Sequence, residues 1–133
     1  MTPRAAVLDT SVLIARESGR PLDSDQLPAL STVTVITIAE LHAGILAAGD
    51  TETRSRRLAT LDAVSVVEPL PVTAEAARQW ASLRVRLAEA GRSAKVNDLW
   101  IAAVAAANDM EVVTQDADFD AIEAIGGPAV VRV

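Results

Sequence analysis

Ala5-Ala6-Val7-Leu8-Asp9-Thr10-Ser11-Val12-Leu13-Ile14 is the stretch on which the reading of the whole chain turns. A short apolar run ends in an acid, and two hydroxyl residues follow before apolar residues resume. That pattern predicts a buried strand over Ala5 to Asp9 handing over to a helix, with Thr10 or Ser11 as its cap. Asp9 also interrupts what could pass for a signal peptide, and no cleavage-like region follows.

Outward from this segment the same alternation repeats. Thr32 to Thr37 is rich in β-branched residues and predicts a second strand, with a helix starting near Ile38. Asp50 is a good N-cap for an amphipathic helix running through Val64, which makes a helical hairpin with its predecessor. Ser65 to Leu70 predicts a brief strand closed by Pro69 and Pro71, and Thr73 caps a helix that buries Ala76, Trp80, Leu83 and Leu87 and ends at Gly91. Val96 to Asn108 is apolar nearly all round, as a helix buried between layers is. Glu111 to Thr114 predicts a strand, Asp116 to Ile125 a turn and short helix, and Ala129 to Val133 a last strand. Strands alternating with helices imply a three-layer α/β/α sandwich with a mostly parallel central sheet.

At 133 residues, 50% hydrophobic and 23% charged, the chain fits one domain spanning residues 1–133. Aromatics reach only 2%, which disfavours nucleic-acid readers built on stacking platforms. The lack of cysteine removes thiolate metal sites and thiol nucleophiles and is compatible with the cytoplasm, the expected location. The longest apolar stretch, Leu99 to Ala107, is too short to cross a bilayer, so no membrane is expected. The net charge of −6 argues against a large nonspecific nucleic-acid footprint unless the arginines are locally concentrated.

Four acids fall at comparable places: Asp9 after the first strand, Glu40 after the second, Asp98 opening the buried helix, and Asp116 after the Glu111 strand. Each has an ordinary explanation. Thr37 with Glu40 fits a capping box, Asp98 complements a helix dipole, and Asp116 with Asp118 suits a capped turn. Jointly they are harder to explain, because a parallel sheet carries them to one edge. Carboxylates gathered there repel one another, and a divalent cation reverses that penalty. All-oxygen ligands select Mg²⁺ or Mn²⁺, whose usual service is phosphodiester hydrolysis by an activated water.

Four segments then resemble the successive motifs of PIN-domain ribonucleases, above all the VapC toxins of bacterial toxin–antitoxin pairs. They are Leu8 to Ile14; Glu40 within Thr37 to Leu41; Asn97-Asp98-Leu99-Trp100-Ile101-Ala102; and Thr114-Gln115-Asp116-Ala117-Asp118-Phe119. The resemblance implies a PIN-like fold and a Mg²⁺-dependent endoribonuclease, with Asp9, Glu40, Asp98 and Asp116 as catalytic and metal-holding acids and Asp118 as an accessory. Ser11 and Thr114 match small hydroxyl residues near the site, and Asn97 adds a polar contact. It further implies a homodimer and a VapB-like antitoxin docked on the helical hairpin from Ile38 to Val64. Arg54, Arg56, Arg57, Arg92 and Lys95 are the candidates for holding RNA phosphates.

Other readings fare worse. A phosphoryl-accepting receiver domain needs a lysine near its last strands, yet Lys95 precedes the buried helix. An aspartate-nucleophile phosphatase carries a second acid two residues after the first, where this chain has Ser11. The remaining alternative is a catalytically silent domain that keeps the fold only to bind a partner. His42 reads as a surface or interface residue, and Trp80 and Trp100 as packing residues.

Overall fold

The structure is a computed structural model that describes residues 5–133; Met1 to Arg4, which the one-domain reading includes, lie outside the described residues. Four parallel strands form one sheet: β1 (Ala5–Leu8), β2 (Leu30–Thr32), β3 (Glu111–Thr114) and β4 (Val130–Arg132), in the spatial order β2-β1-β3-β4. The helices are α1 (Thr10–Ser18), α2 (Val35–Leu46), α3 (Thr51–Val64), α4 (Ala74–Glu89), α5 (Val96–Ala107) and α6 (Asp120–Ala124). Short 3-10 turns occupy Ser24–Gln26 and Ala117–Phe119.

Strand alternation divides the core into two. Val7 and Val112 point to one face, where Leu83, Leu87, Leu99, Ile101, Phe119 and Ile122 cover them from α4, α5 and the segment around α6. Ala6, Leu8 and Val113 point to the other, against Val12, Leu13 and Leu41 of α1 and α2, with Leu61 of α3 alongside. The three layers expected from the sequence are thus present, with a fully parallel sheet. α5 owes its all-round apolar character to this position: Ile101, Ala102, Ala103, Val104 and Ala105 are wholly buried.

Three local expectations are corrected. The second strand ends at Thr32, and Thr34 caps α2 by accepting the Thr37 N–H at 3.3 Å. The β-branched run Val33 to Thr37 carries strand propensity, but that cap and the complete burial of Thr34 and Thr37 turn it into a helix start. There is accordingly no Thr37–Glu40 capping box, and Glu40 lies in the second turn of α2. Ser65 to Leu70 forms no strand; only Leu70 bridges to Thr34, donating to Val33 O at 2.8 Å and accepting from Val35 N at 3.0 Å. Pro69 and Pro71 lack the N–H that a further strand would need, which ends the sheet on this side. Finally, the cap position of α1 belongs to Asp9, not to Thr10 or Ser11.

The turn before β4 tolerates no side chain. A Cβ on Gly127 would stand 2.5 Å from the Ile122 carbonyl oxygen and 2.7 Å from Ile122 Cγ2, while Gly127 N–H already donates to that same carbonyl at 2.9 Å. Gly127→Ala is expected to destabilise the fold by about 1–3 kcal/mol, since backbone must move to admit the methyl group. Urea denaturation compared with Gly49→Ala, where the added carbon meets nothing within 4 Å, measures the difference.

Candidate active site

The sheet order reverses between β1 and β3, and ligands in open parallel sheets bind beyond the strand ends at such a switch point. Asp9 leaves β1 there, its N–H donating to Val113 O of β3 at 2.9 Å. Although it occupies a helix N-cap, its carboxylate makes no capping bond. It turns instead to two hydroxyls: Ser11 Oγ donates to Asp9 Oδ2 at 2.6 Å, and Thr114 Oγ1 donates to the same oxygen at 2.9 Å. Each hydroxyl accepts a backbone N–H in return, Ser11 from Gln115 at 3.0 Å and Thr114 from Asp116 at 2.9 Å. Asp9 is only 4% exposed, so the network fixes a buried carboxylate at the seam of the sheet.

Glu40 reaches the same place from α2. Thr10 Oγ1 donates to Glu40 Oε1 at 2.7 Å, and its oxygen lies 2.9 Å from Thr37 Oγ1. Because the Thr10 proton is committed to Glu40, Thr37 is the donor in that second contact. Asp116 follows β3 and accepts the Asp118 N–H at 3.0 Å, so the turn-capping explanation holds for it in addition to its place in the site. Carboxylate oxygens of Asp98, Asp116 and Asp118 all lie within 4.8 Å of one another.

Asp98, in the first turn of α5, records this crowding. Burial, together with the nearby charges of Asp9 and Asp116, pushes its carboxyl up to about 7; Lys95 opposes the shift and Glu40 adds to it. Its Oδ2 is buried with no hydrogen-bond partner. The structure thus brings Asp9, Glu40, Asp98, Asp116 and Asp118 to one rim, with Ser11 and Thr114 behind Asp9. Asn97 is exposed in the first turn of α5 and makes no side-chain hydrogen bond to the described residues.

The basic candidates divide. Arg54 donates to Ala48 O at 3.0 Å and Arg57 to Gly44 O, which tie α3 to the end of α2, and Arg56 pairs with Glu52 at 3.5 Å. Lys95 stands 3.1 Å from Asp118 Oδ2, and with Arg92 it lines a cleft of about 280 Å³ beside the acids. Thr10 and Thr37 are contacts at the candidate site that motif reading passed over: both looked like capping residues, and only the helix geometry turns Thr10 toward Glu40 and Thr37 toward Thr10. His42 is exposed, and Trp80 and Trp100 stack at 5.0 Å, as expected of packing residues.

The PIN domain family model matches residues 6–125. The chain is 54% identical over 132 residues to Ribonuclease VapC5 of Mycobacterium tuberculosis, covering 99% of this chain and 98% of that protein. It is 37% identical over 123 residues to Ribonuclease VapC4 of the same organism, with 92% and 94% covered. Among solved structures, a chain of the M. tuberculosis toxin–antitoxin complex VapBC-5 superposes with a TM-score of 0.91 at 50% identity, covering 98% of this chain and all of that one. A chain of DNA-bound VapBC from Salmonella typhimurium shares the fold at TM-score 0.77, with 23% identity and 98% of both chains covered. The chain belongs to the PIN-domain family, and within it to the VapC proteins.

The acid cluster predicts a pH-dependent stability. Asp98 has a folded-state pKa raised from 3.8 to about 7, so folding disfavours its ionised form. The penalty is absent below pH 4, grows as the pH rises, and is complete above 7. Partial solvent exposure reduces a shift of this size to about 1–2 kcal/mol. In chelator, Asp98→Asn is therefore expected to melt higher than wild type at pH 8, with the gap closing toward pH 4. Thermal melts across that range test it, and a gap independent of pH would contradict it.

Proposed function

We propose that this chain is a divalent-metal-dependent endoribonuclease, the toxin of a VapBC-type pair. The observation that carries this reading is the assembly of Asp9, Glu40, Asp98 and Asp116 around a buried, unpartnered Asp98 Oδ2, in a chain 54% identical to a protein named a ribonuclease. That orphaned oxygen and the all-carboxylate donor set fit a hard cation, Mg²⁺ or Mn²⁺, held by Asp98 and Asp116 with Asp9 and Glu40 facing them and Asp118 as accessory. Such an ion lowers the pKa of a water and shields charge building on a phosphoryl oxygen.

The chain's own residues do the rest. Ser11 and Thr114 hold Asp9 in one orientation, and their back-bonds from Gln115 and Asp116 make that orientation depend on the turn after β3. Thr10 aims Glu40 from the neighbouring helix. Arg92 and Lys95 are the cations placed to meet RNA phosphates at the rim, whereas Arg54, Arg56 and Arg57 are occupied within α2 and α3.

Asp98→Asn should keep the fold and abolish cutting of single-stranded and structured RNA in Mg²⁺. Asp9→Asn should do the same, because an amide oxygen can still accept both hydroxyls. Ser11→Ala or Thr114→Val, which leave every acid in place, should lower activity about 10–100-fold. Undiminished cutting by the folded Asp98→Asn variant would leave the silent-domain alternative standing.

Association with a VapB-like antitoxin and with a second copy completes the proposal. The solved relative VapBC-5 is a member of the VapBC family of toxin–antitoxin systems, and the α2–α3 hairpin here exposes Leu46 at 83% and Leu58 at 43%. Leu46→Asp with Leu58→Asp is expected to weaken capture of a co-expressed antitoxin without altering the melting temperature by more than a few degrees. Pull-down against the unsubstituted chain reads the outcome.

A further inference from the structure

Lys95 is the single lysine in the chain. It sits at the N-cap of α5, where its side chain makes no capping bond, and its ammonium crosses to the turn after β3 to meet Asp118 Oδ2 at 3.1 Å. Asp118 is the outermost of the three clustered carboxylates. The group that would collect a divalent ion therefore already contains a tethered monovalent one. Both partners are well exposed, at 71% and 46%, and such pairs hold together by only about 0–1 kcal/mol. Directly beside the pair lies the cleft lined by Arg92, Ser93, Ala94, Lys95, Ala117 and Asp118. The Arg92 side chain has no ion-pair partner among the described residues.

We propose that Lys95 is a displaceable counter-ion, which holds Asp118 until a divalent cation takes that carboxylate and then swings to the cleft to anchor, with Arg92, a phosphate of the polynucleotide. Two charge effects of opposite sign follow from one residue. Before the exchange, the ammonium offsets repulsion among Asp98, Asp116 and Asp118 and so competes with the incoming ion. After it, the ammonium faces a doubly charged neighbour and is repelled unless an anion joins it; a phosphodiester bound across the rim supplies that anion. A merely structural surface pair would produce neither effect. The identity of the phosphate as RNA rests on the ribonuclease reading, whereas the competition for Asp118 does not.

The experiment uses the full chain with Lys95→Met and Lys95→Arg. Isothermal titration with Mn²⁺ alone, without RNA, is expected to show Lys95→Met binding the ion about 2–5-fold more tightly than wild type. With a single-stranded RNA at saturating Mg²⁺, the same variant should raise KM about tenfold more than it lowers kcat, and the slope of log KM against log salt should fall by about 0.7. Lys95→Arg should stay near wild type in the kinetic readout, because it restores the cation. Unchanged Mn²⁺ affinity in Lys95→Met overturns the counter-ion role, and an unchanged KM overturns the phosphate anchor. If the wild-type chain cuts no RNA, the ribonuclease reading and the anchor fall together, and the Mn²⁺ titration still decides the competition.

Discussion

Carboxylates held together against their own repulsion are the constraint around which the rest of the chain is arranged. Left alone, acids this close would separate or hold their protons, and Asp98, raised toward neutrality first by its burial and then by the charges of Asp9 and Asp116, registers the conflict. The surrounding structure keeps them in place by satisfying the inner acids with hydroxyl donors. Asp9 receives two and Glu40 one, and hydrogen bonds to a charged acceptor contribute about 1.5–3 kcal/mol each. Asp98 receives none at its buried oxygen, so the least satisfied group is the one best placed to gain from a cation.

The fold makes that concentration possible through direction. All strands of the sheet run parallel, and its two central strands, β1 and β3, deliver Asp9 and Thr114 side by side at the same edge. β2 then α2 bring Glu40 from one flank, and α5, sealed between the sheet and α4, brings Asp98 from the other. The complete burial of α5 from Ile101 to Ala105 serves the candidate site as much as the core. A helix with a solvent face along its middle could shift by a fraction of a turn; one whose central five residues are wholly buried resists that shift. Gln115 adds a clasp across the same edge, donating to Pro21 O at 2.9 Å and to Val133 O at 3.1 Å.

What could be read in advance depended on how local the cause was. β3 and the Asp50 and Thr73 caps appear where the sequence pattern predicts them, because apolar burial and cap chemistry lie within a few neighbouring residues. The second strand did not, since Val33 to Thr37 favours strand by composition while its helix start depends on tertiary burial of Thr34 and Thr37. Among the candidate acids, Asp9 and Asp116 were legible by their position at strand ends, whereas Glu40 reaches the rim from the second turn of α2 and Asp98 from the first turn of α5. Thr10 was not legible, because a hydroxyl after a strand has the same appearance whether it caps a helix or serves an acid 30 residues away. Asp9 shows the reverse case: it occupies a cap and makes no capping bond, its carboxylate turning instead to Ser11 and Thr114.

The arginines carry the same lesson into electrostatics. Arg54, Arg56 and Arg57 form the densest basic run in the chain, and density alone nominates them for a polyanion. Their geometry assigns them elsewhere, to the carbonyls that close the α2–α3 connection and to an exposed helical ion pair worth a few tenths of a kcal/mol. Lys95 and Arg92, nominated from the sequence together with them, are the cations that line the cleft at the acidic rim. For a chain of net charge −6, attraction of a polyanion cannot come from the summed field; it has to come from a few cations at the point of contact, acting within a Debye length of about 8–10 Å. That distance screens out acids on the remaining surface but not those clustered beside Arg92 and Lys95, so a polyanion would meet a favourable rim only once a divalent cation offsets the clustered carboxylates.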